Sequence, residues 1–376
     1  MRHILVTGGA GFIGANFVHY WMASHPGDRL VVLDALTYAG NRANLQRAAA
    51  NPRFRFVHGN LLDLQLLERV LTEESIDLIV HFAAESHVDR SIVRPDAFIE
   101  TNVVGTHNLL MAARRAWTAA PANKRLHHVS TDEVYGSLGP TDPAFTESTP
   151  YAPNSPYAAS KASADFLVRA YRHTYRLPVT ISNCSNNYGP YHFPEKLIPL
   201  VITNILDGKP LPIYGDGLNV RDWLYVEDHC RGIERVIEAG LEGETYNIGG
   251  ENERTNIDIV KLLCELVDEA FGADPSLGSH FPRSPAASHT PSASLITYVK
   301  DRPGHDRRYS VDTTKIRAQL GFRPAVTFEN GIRRTLSWYL ENEKWWRGVM
   351  DGSYRKWIEE QYGDGSVARR AETVPA

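Results

Sequence analysis

The chain has few of the residues that build disulfide frameworks and metal sites. Its three cysteines, Cys184, Cys230 and Cys264, are odd in number, and none has a Cys-x-x-Cys partner or histidines at metal-ligand spacing. A disulfide framework and a zinc site are therefore not expected, and we predict no bound metal. The thiols fit a reducing compartment, where they would serve as small buried apolar residues.

A long apolar run and an excess of positive charge are also missing. No stretch of about 18 apolar residues occurs, and residues 2–7 open the chain without an apolar signal core. The 376 residues carry 40 Lys and Arg against 44 Asp and Glu, a formal net charge of -4, with the basic residues scattered. We expect a cytoplasmic protein with no membrane segment and no nucleic acid partner, which binds any acidic ligand through local groups.

Short apolar runs alternate with helical patterns in the first third of the chain. The runs that we interpret as strands lie at residues 4–6, 30–33, 54–57, 78–82 and 126–129. Strands and helices at this spacing predict a Rossmann-type, doubly wound parallel sheet in an α/β protein.

Beyond Gly189-Pro190 the chain becomes richer in proline, which indicates a second, smaller mixed α/β domain. The first domain is predicted at 1–187, rejoined by about 222–245, and the substrate domain at 188–376. Within the latter we expect a surface insertion at 272–294 and a flexible tail at 364–376.

A glycine-rich turn, Thr7-Gly8-Gly9-Ala10-Gly11-Phe12-Ile13-Gly14, joins the first strand to the first helix, and Asp34 ends the next strand. Such glycines let a pyrophosphate approach the helix N-terminus, while the acid accepts from the ribose hydroxyls and repels a 2′-phosphate. The pattern predicts an NAD site. The alternative is a glycine turn of purely structural use.

Residues 130–136 read Ser-Thr-Asp-Glu-Val-Tyr-Gly, and Tyr157 and Lys161 follow on a predicted helix. Residues four apart share a helix face, so the Lys161 ammonium is expected to lower the pKa of the Tyr157 phenol. Asp132 and Glu133 add an acid and a base, which a site needs if it both oxidises an alcohol and eliminates water.

The two acids can share a site only if a turn begins at Asp132, because successive side chains on a strand point to opposite faces. We expect such a turn at the strand end. The alternative is an exposed acidic turn in which Asp132 caps a helix.

These motifs resemble the extended short-chain dehydrogenase/reductase family, and most closely its nucleoside-diphosphate-sugar dehydratases. The resemblance extends over nearly the whole chain and includes residues 83–91, 101–102, 183–190, 194–199, 221–223 and 301–305. It implies bound NAD, dTDP-glucose as substrate, oxidation at C4, loss of water across C5 and C6, and a 4-keto-6-deoxy product. It also implies a homodimer that pairs residues 97–117 and 157–176. The alternative is that both stretches only cover the sheet.

The resemblance assigns roles residue by residue. Tyr157 would take the C4 hydroxyl proton with help from Lys161, Thr131 would bind the C4 oxygen, Glu133 would remove the C5 proton, and Asp132, with a raised pKa, would protonate the departing 6-hydroxyl. Cofactor contacts are expected from Gly8, Gly11, Phe12, Ile13, Gly14, Asp34, Ala35, Leu36, Thr37, Asn60, Leu61, Phe82, Ala83, Ala84, Ser86, Thr101, Tyr157, Lys161 and Asn187. Substrate contacts are expected from Ser86, Thr131, Asn186, Lys196, Leu197, Pro212, Tyr214, Arg221, Asn256, Asp301, Arg302 and His305.

Asn60 departs from the family pattern, which usually has an aspartate near the adenine, although its carbonyl could still accept from the adenine amine. Two rival functions stay open. An epimerase or decarboxylase of the same fold usually carries a small polar residue in place of Asp132. A non-catalytic NAD-binding sensor would have no need of Tyr157, Lys161 or the acid pair.

Overall fold

The computed structural model describes residues 1–118 and 123–350, so the predicted tail at 364–376 lies outside the described residues. The strands of the described chain are β1 (His3–Thr7), β2 (Arg29–Asp34), β3 (Phe54–His58), β4 (Leu78–His81), β5 (Arg125–Thr131), β6 (Val179–Cys184), β7 (Asn186–Tyr188), β8 (Leu211–Tyr214), β9 (Val220–Tyr225), β10 (Thr245–Ile248), β11 (Glu253–Thr255) and β12 (Ile296–Val299). The α-helices are α1 (Phe12–Ser24), α2 (Gln46–Ala49), α3 (Leu64–Glu73), α4 (Val88–Val93), α5 (Pro95–Phe98), α6 (Thr106–Trp117), α7 (Pro156–Tyr175), α8 (Leu197–Asp207), α9 (Val226–Ala239), α10 (Asn256–Ala273), α11 (Ser276–His280), α12 (Thr314–Leu320), α13 (Phe328–Glu341) and α14 (Glu343–Val349). A π-helical segment, Ile99–Gly105, joins α5 to α6.

Seven strands form a parallel sheet in the order β10-β6-β5-β4-β1-β2-β3. Every adjacent pair in this sheet runs parallel. The chain moves outward from β1 to β3, then returns to β4 on the other side of β1, which is the strand order of a doubly wound dinucleotide fold. The predicted Rossmann-type sheet is thus confirmed.

Helices cover both faces of the sheet, because successive residues of the apolar strands point to opposite sides. Ile4 and Val6 pack in one buried cluster with Phe17 of α1 and Ile233 of α9. Leu5 belongs to a second cluster, with Leu67 and Val70 of α3, Leu109 of α6 and Val168 of α7. Each face of β1 therefore contributes to a separate apolar core.

The described chain separates into two compact units. The first contains residues 1–187, 222–252 and 308–326, and the second contains 188–221, 253–307 and the chain from 327 onward. Residues 308–326 were predicted to lie in the substrate domain, and this is corrected, since they carry α12, whose Ile316 is buried in the first core beside the sheet. The second unit contains a two-stranded parallel sheet of β8 and β12.

The segment predicted as a surface insertion, 272–294, is in part buried within the second unit. Phe281 is 2% exposed, and the buried hydroxyl of Ser292 donates to the Asp268 carboxylate at 2.6 Å. The segment was predicted as a loop from its Gly, Pro and Ser content. In the structure it forms turns and short helices that pack against α10.

Among the described residues, none of the helices has the length and apolar character needed to cross a membrane.

Candidate active site

The glycine-rich turn lies against the end of β4 and the start of α1. Gly8 has a φ of +70°, and a Cβ there would lie 2.5 Å from the Ala83 amide nitrogen. A Cβ on Gly14 would lie 2.3 Å from the Gly8 carbonyl oxygen. Only glycine therefore fits at these two positions, and the backbone cradle is open to a closely approaching group at the N-terminus of α1.

Asp34 is bonded into the same turn. One carboxylate oxygen accepts from the Ala10 amide at 2.8 Å, and the other accepts from the Leu36 amide at 2.8 Å. Burial raises the pKa of Asp34, and these two amide bonds oppose the rise. The acid thus stands at the carboxyl end of β2, next to the glycine turn, where a Rossmann fold binds the adenosine ribose.

Asn60 forms a turn of its own beside this region. Its side-chain oxygen accepts from the Leu62 amide at 3.0 Å, and its backbone oxygen accepts from the Asp63 amide at 3.0 Å. The amide oxygen that could accept from an adenine amine already has one partner. The adenine contact of Asn60 stays a prediction.

The end of β4 is fixed by a fully buried histidine. The His81 ring nitrogens lie 2.7 Å from the Thr7 hydroxyl and 2.9 Å from the Thr106 hydroxyl. Burial lowers the pKa of His81 well below its usual range, so the ring is neutral. Phe82 packs on Phe17 of α1 with ring centroids 5.2 Å apart. The strand end that presents Ala83 is therefore rigid.

The π-helical segment supports the loop after β4. The Asn102 side chain accepts from the Glu85 amide at 2.9 Å and donates to the Glu85 carbonyl at 3.0 Å. It also donates to the Ser160 hydroxyl at 2.8 Å, one residue before Lys161. The segment thus ties the loop that contains Ser86 to α7, and Thr101 precedes this anchor.

The two acids lie in a turn that begins where β5 ends. The strand ends at Thr131, and a single 3₁₀ turn, Asp132–Tyr135, begins at once, with the Thr131 hydroxyl accepting from the Glu133 amide at 3.3 Å. Asp132 is 2% exposed. The predicted turn at Asp132 is confirmed, and the alternative of an exposed acid that caps a helix is wrong, because Thr131 is the cap and Asp132 is buried.

Tyr157 begins α7, where the Ser155 hydroxyl accepts from the Ala158 amide at 3.1 Å. Burial raises the pKa of the Tyr157 phenol well above its ordinary value, the Glu133 carboxylate raises it further, and a hydrogen bond with the Thr131 hydroxyl lowers it. The sequence predicted the opposite direction, through Lys161. The net pKa is raised in this structure because removal of the phenolate from water outweighs the other influences, and the effect of Lys161 on Tyr157 stays a prediction.

Lys161 is 4% exposed, and its ammonium donates to the Val129 carbonyl at 2.9 Å. Burial lowers the pKa of Lys161, and the negative charge of Asp165 opposes this. The Thr131 hydroxyl and both acids act on the Tyr157 phenol. The structure therefore brings the five predicted catalytic side chains to one place at the carboxyl end of β5.

A buried polar network behind Lys161 was missed in the sequence. Asp165 is fully buried, and one of its oxygens accepts from the Ser130 hydroxyl and the Tyr151 phenol, both at 2.9 Å. Its other oxygen lies 3.2 Å from Nε2 of His128. Two signals were present, since Asp165 comes one helical turn after Lys161 and His128 interrupts an apolar strand.

In the second unit, the predicted nucleotide contacts form a cluster. The guanidinium of Arg221, 6% exposed, donates to the Val220 carbonyl at 2.7 Å and the Asp306 carbonyl at 3.0 Å. Nδ1 of His305 lies 2.6 Å from the Asp301 carboxylate. The His305 ring meets Tyr214 edge to face, at 5.9 Å between centroids. Burial, and next the charge of Arg302, lower the pKa of His305 to about 4, so this ring is neutral.

Asn256 is connected to this cluster through Asn219. The Asn256 backbone amide donates to the Asn219 carbonyl at 2.9 Å, and the Asn219 side chain donates to the Asp306 carbonyl at 3.2 Å. The remaining substrate positions lie elsewhere on the chain. Lys196 and Leu197 start α8, and Pro212 pairs with Thr297 of β12.

Ser86, Asn186 and Asn187 belong to the first unit. The Asn187 side-chain oxygen lies 2.9 Å from Nδ1 of the buried His229. His229 was not foreseen from the sequence. Among the described residues, no group of three or more His, Cys, Asp and Glu side chains could hold a metal ion.

The sheet order, the glycine cradle and the Tyr157/Lys161 pair define a dinucleotide-dependent enzyme of the short-chain dehydrogenase/reductase type. The family described as GDP-mannose 4,6 dehydratase matches residues 5–335. The chain belongs to this family, and the expected membership of the extended short-chain dehydrogenases/reductases is confirmed.

Individual relatives agree with this. The chain is 54% identical over 359 residues to the dTDP-glucose 4,6-dehydratase of Neisseria meningitidis, covering 94% of this chain and 98% of the relative. It is 57% identical over 355 residues to that of Xanthomonas campestris, covering 93% and 97%.

Two solved structures are similar to this chain. The dTDP-glucose 4,6-dehydratase of Streptomyces venezuelae, solved with NAD bound, has a TM-score of 0.82 and 51% identity over 93% of this chain and all of that one. The UDP-glucose 4-epimerase of Thermotoga maritima has a TM-score of 0.77 and 27% identity over 91% of this chain and all of that one.

Proposed function

We propose that the protein is a dTDP-glucose 4,6-dehydratase, a hydro-lyase that uses NAD and forms dTDP-4-keto-6-deoxyglucose for deoxysugar biosynthesis. The observation that carries this is the buried turn that brings Asp132 and Glu133 to the Tyr157 phenol. Curated dehydratases of this substrate that are 54% and 57% identical over nearly the whole chain support it.

The residues of the first unit fit an NAD cofactor. The cradle at Gly8 and Gly14 leaves no room for a side chain, which suits a pyrophosphate at the start of α1, and Asp34 suits the ribose hydroxyls. Asp34 also disfavours a 2′-phosphate, and so NADP. When bound, NAD accepts hydride from C4 of the sugar and later supplies it to C6.

Side chains of the protein carry out the proton transfers. Tyr157 acts as a phenolate, which the ammonium of Lys161 stabilises, and it becomes a neutral phenol when it takes the proton of the C4 hydroxyl. Thr131 binds the C4 oxygen. Once C4 is a ketone, the hydrogen on C5 becomes acidic and Glu133 removes it, while Asp132 gives a proton to the departing 6-hydroxyl.

The acid and the base differ in their surroundings, which fits this division. Asp132 is almost fully buried, an environment that suits a general acid, because burial disfavours the charged form of a carboxyl group. Glu133 is half-buried and keeps contact with water, which suits a base. Two neighbouring carboxyls with different environments can therefore take opposite roles.

The second unit binds the nucleotide in this proposal. Arg221 and Arg302 are suited to the diphosphate because a guanidinium offers five donors in a planar fork. Tyr214 and the neutral ring of His305 offer flat surfaces and hydrogen bonds for the pyrimidine. Lys196, Leu197, Pro212, Asn256 and Asp301 complete the contacts proposed for this unit, and Asn186 of the first unit stays a predicted contact.

We propose a homodimer that pairs the surfaces around α6 and α7. Apolar side chains that are at least 40% exposed occur on α7 and on the segments that precede α6, namely Ile92, Val93, Ile99, Val104, Phe166 and Tyr175. An exposed apolar surface of this kind is commonly covered by a second copy of the chain. Light scattering coupled to size exclusion tests this, and a monomer at micromolar concentration would contradict it.

The purified protein incubated with dTDP-glucose in deuterated water tests the function. We expect the 4-keto-6-deoxy product with one solvent deuterium at C5 and no net change in bound NAD, because hydride is taken and returned within one turnover. UDP-glucose and GDP-mannose serve as parallel substrates. Epimerisation of one of these without any keto product would identify an epimerase, and no reaction with any nucleotide sugar would favour the sensor.

A further inference from the structure

The polar network behind Lys161 has a charged row at its centre. Lys161, Asp165 and Arg169 follow one another at intervals of four along α7, so their side chains lie on one face of the helix. Lys161 and Asp165 are fully buried, and Arg169 is half-buried. Positive, negative and positive charges thus alternate from the catalytic end of the helix outward.

The charges of Lys161 and Asp165 act on each other. Burial lowers the pKa of Lys161, and the charge that most opposes this is that of Asp165. Burial raises the pKa of Asp165 to about 6, and the charge of Lys161 is the largest opposing influence. At neutral pH Asp165 is therefore mainly a carboxylate, and each group favours the ionised form of the other.

Apart from Arg169, the titratable groups around the pair carry no charge at neutral pH. Burial lowers the pKa of His81 and of His128 well below the usual range, and it raises the pKa of the Cys184 thiol. Cys184 is a second group whose thiolate would favour the Lys161 ammonium, but its thiol is protonated. The titratable and polar groups that interact with the pair are Arg169 from α7, His128 and Ser130 from β5, Tyr135 from the turn after β5, His81 from β4, Cys184 from β6, and Tyr151 from the segment before α7.

The Asp165 carboxylate is held in place from several sides. Ser130 and Tyr151 donate to one of its oxygens, and the Tyr151 phenol in turn accepts from Arg169 at 2.9 Å and from the Asn183 amide at 3.1 Å. A charge fixed in this way, away from water, exerts a strong and constant field on its neighbour.

We propose that Asp165 is a positioning residue for Lys161, whose buried carboxylate keeps the Lys161 ammonium charged and bound to the Val129 carbonyl during turnover. Asp165 does not touch the substrate in this proposal and acts only through Lys161. The inference rests on the proposed function, since that function requires a charged Lys161 beside Tyr157.

The first test measures the charge of Lys161 without substrate. The protein with bound NAD is labelled with ¹³C in its lysine side chains, and the ε-carbon signal of Lys161 is assigned by its loss in Lys161→Arg. We expect this signal to titrate at lower pH in Asp165→Asn than in the wild type, by about one to three pH units, the range that one close opposite charge produces. Asp165→Glu, which keeps the charge, is expected to restore most of the shift.

The second test follows kcat against pH with dTDP-glucose. The alkaline fall in kcat, where Lys161 loses its proton, is expected to move to lower pH in Asp165→Asn by the same interval as in the titration. Ser163→Ala is the matched control, because Ser163 lies between Lys161 and Asp165 on the same helix and donates only to the Ala159 carbonyl. Its profile is expected to coincide with that of the wild type.

The outcomes separate the proposal from the function. The positioning role is overturned if the pH at which Lys161 titrates is the same in Asp165→Asn as in the wild type. It is also overturned if that pH is lower in the variant but the dependence of kcat on pH does not change. Should Asp165→Asn not fold, the wild-type Lys161 signal must still show a second, smaller inflection near pH 6, where Asp165 takes up a proton. A lack of that inflection also overturns the proposal. A wild type that does not convert dTDP-glucose contradicts the proposed function alone, because the titration needs no turnover.

Discussion

The Asp34 carboxylate accepts a hydrogen bond from the Ala10 amide at 2.8 Å, so the acid that ends β2 is bonded to the glycine turn that ends β1. The residue expected to bind the ribose therefore also stabilises the turn expected to bind the pyrophosphate. Changes at Asp34 should affect both.

Asp34→Asn should weaken NAD binding and destabilise the protein together. An asparagine has one acceptor oxygen, so either the Ala10 or the Leu36 amide loses its partner, which costs about 1–3 kcal/mol. Loss of a charged acceptor for the ribose should lower NAD affinity by about 10- to 150-fold, and the preference over NADP should shrink. Titration calorimetry and urea unfolding measure the two effects. Asp63→Asn, which keeps a good cap on α3, is the control and should change neither.

Gly14→Ala should disrupt the cofactor turn. The new Cβ would lie 2.3 Å from the Gly8 carbonyl oxygen, and relief of such overpacking costs about 1–3 kcal/mol. The purified variant is expected to contain less bound NAD, measured by absorbance after release, and to unfold at lower urea concentration. Gly27→Ala is the matched control, since nothing lies within 4 Å of its Cβ position. Equal behaviour of the two variants would contradict the close packing at Gly14.

Asp132→Asn and Glu133→Gln should separate the half-reactions. Both variants are expected to oxidise C4 and then eliminate water about 10²- to 10⁴-fold more slowly, because each lacks one proton-transfer group. NADH should accumulate on the enzyme and be visible at 340 nm. Glu133→Gln should also lose solvent deuterium exchange at C5, whereas Asp132→Asn should retain it. Equal loss of oxidation and elimination in Asp132→Asn would count against its role as the acid.

The protein should lose stability as the pH falls from about 6.5 towards 4. Several buried histidines are neutral in the folded state because burial lowers their pKa, to about 3 for His192 and His229 and to about 4 for His305. The unfolded chain binds these protons near pH 6.5, so this contribution is fully present above that pH and is lost below it. Asp165 has the opposite effect on stability. Its pKa is raised in the folded state, so its contribution to the free energy of unfolding increases as the pH falls from about 6 to 3.8.

Urea unfolding at several pH values measures this dependence. His127→Gln removes one such histidine, held between the Thr180 and Ser182 hydroxyls at 3.0 Å each, and should flatten the slope of unfolding free energy against pH. A wild-type stability that does not change between pH 7 and 5 would show that these rings are not neutral in the folded protein.

The parts of the site that follow from local patterns were predictable. The order of a strand, a glycine turn, a helix and a later acid predicted where Gly8 and Asp34 lie. The apolar run that ends at Val129 predicted where the strand could end and Asp132 could begin a turn. Each of these depends on neighbours in the sequence, and hydrogen bonds within a few residues decide the result.

The missed features depend on burial and on distant contacts. The pKa of Tyr157 rises because the fold removes it from water, and no residue near it in sequence reports that. His128 meets Asp165 only because β5 lies under α7, and 308–326 joins the first unit because Ile316 packs against the sheet core. The Gly and Pro content of 272–294 gave no hint that Phe281 is buried.

The π-helical segment between α5 and α6 sets the rotational phase of one helix relative to the other. Its hydrogen bonds run from each residue to the fifth along, one more than in an α-helix, so it holds one extra residue in the same helical path. Deletion of one residue within Ile99–Gly105 would let the segment relax to a regular α-helix and change the direction in which Asn102 points. Asn102 could then no longer reach both Glu85 and Ser160, so a gene with a single codon missing here would encode a helix of better regularity and a poorer enzyme.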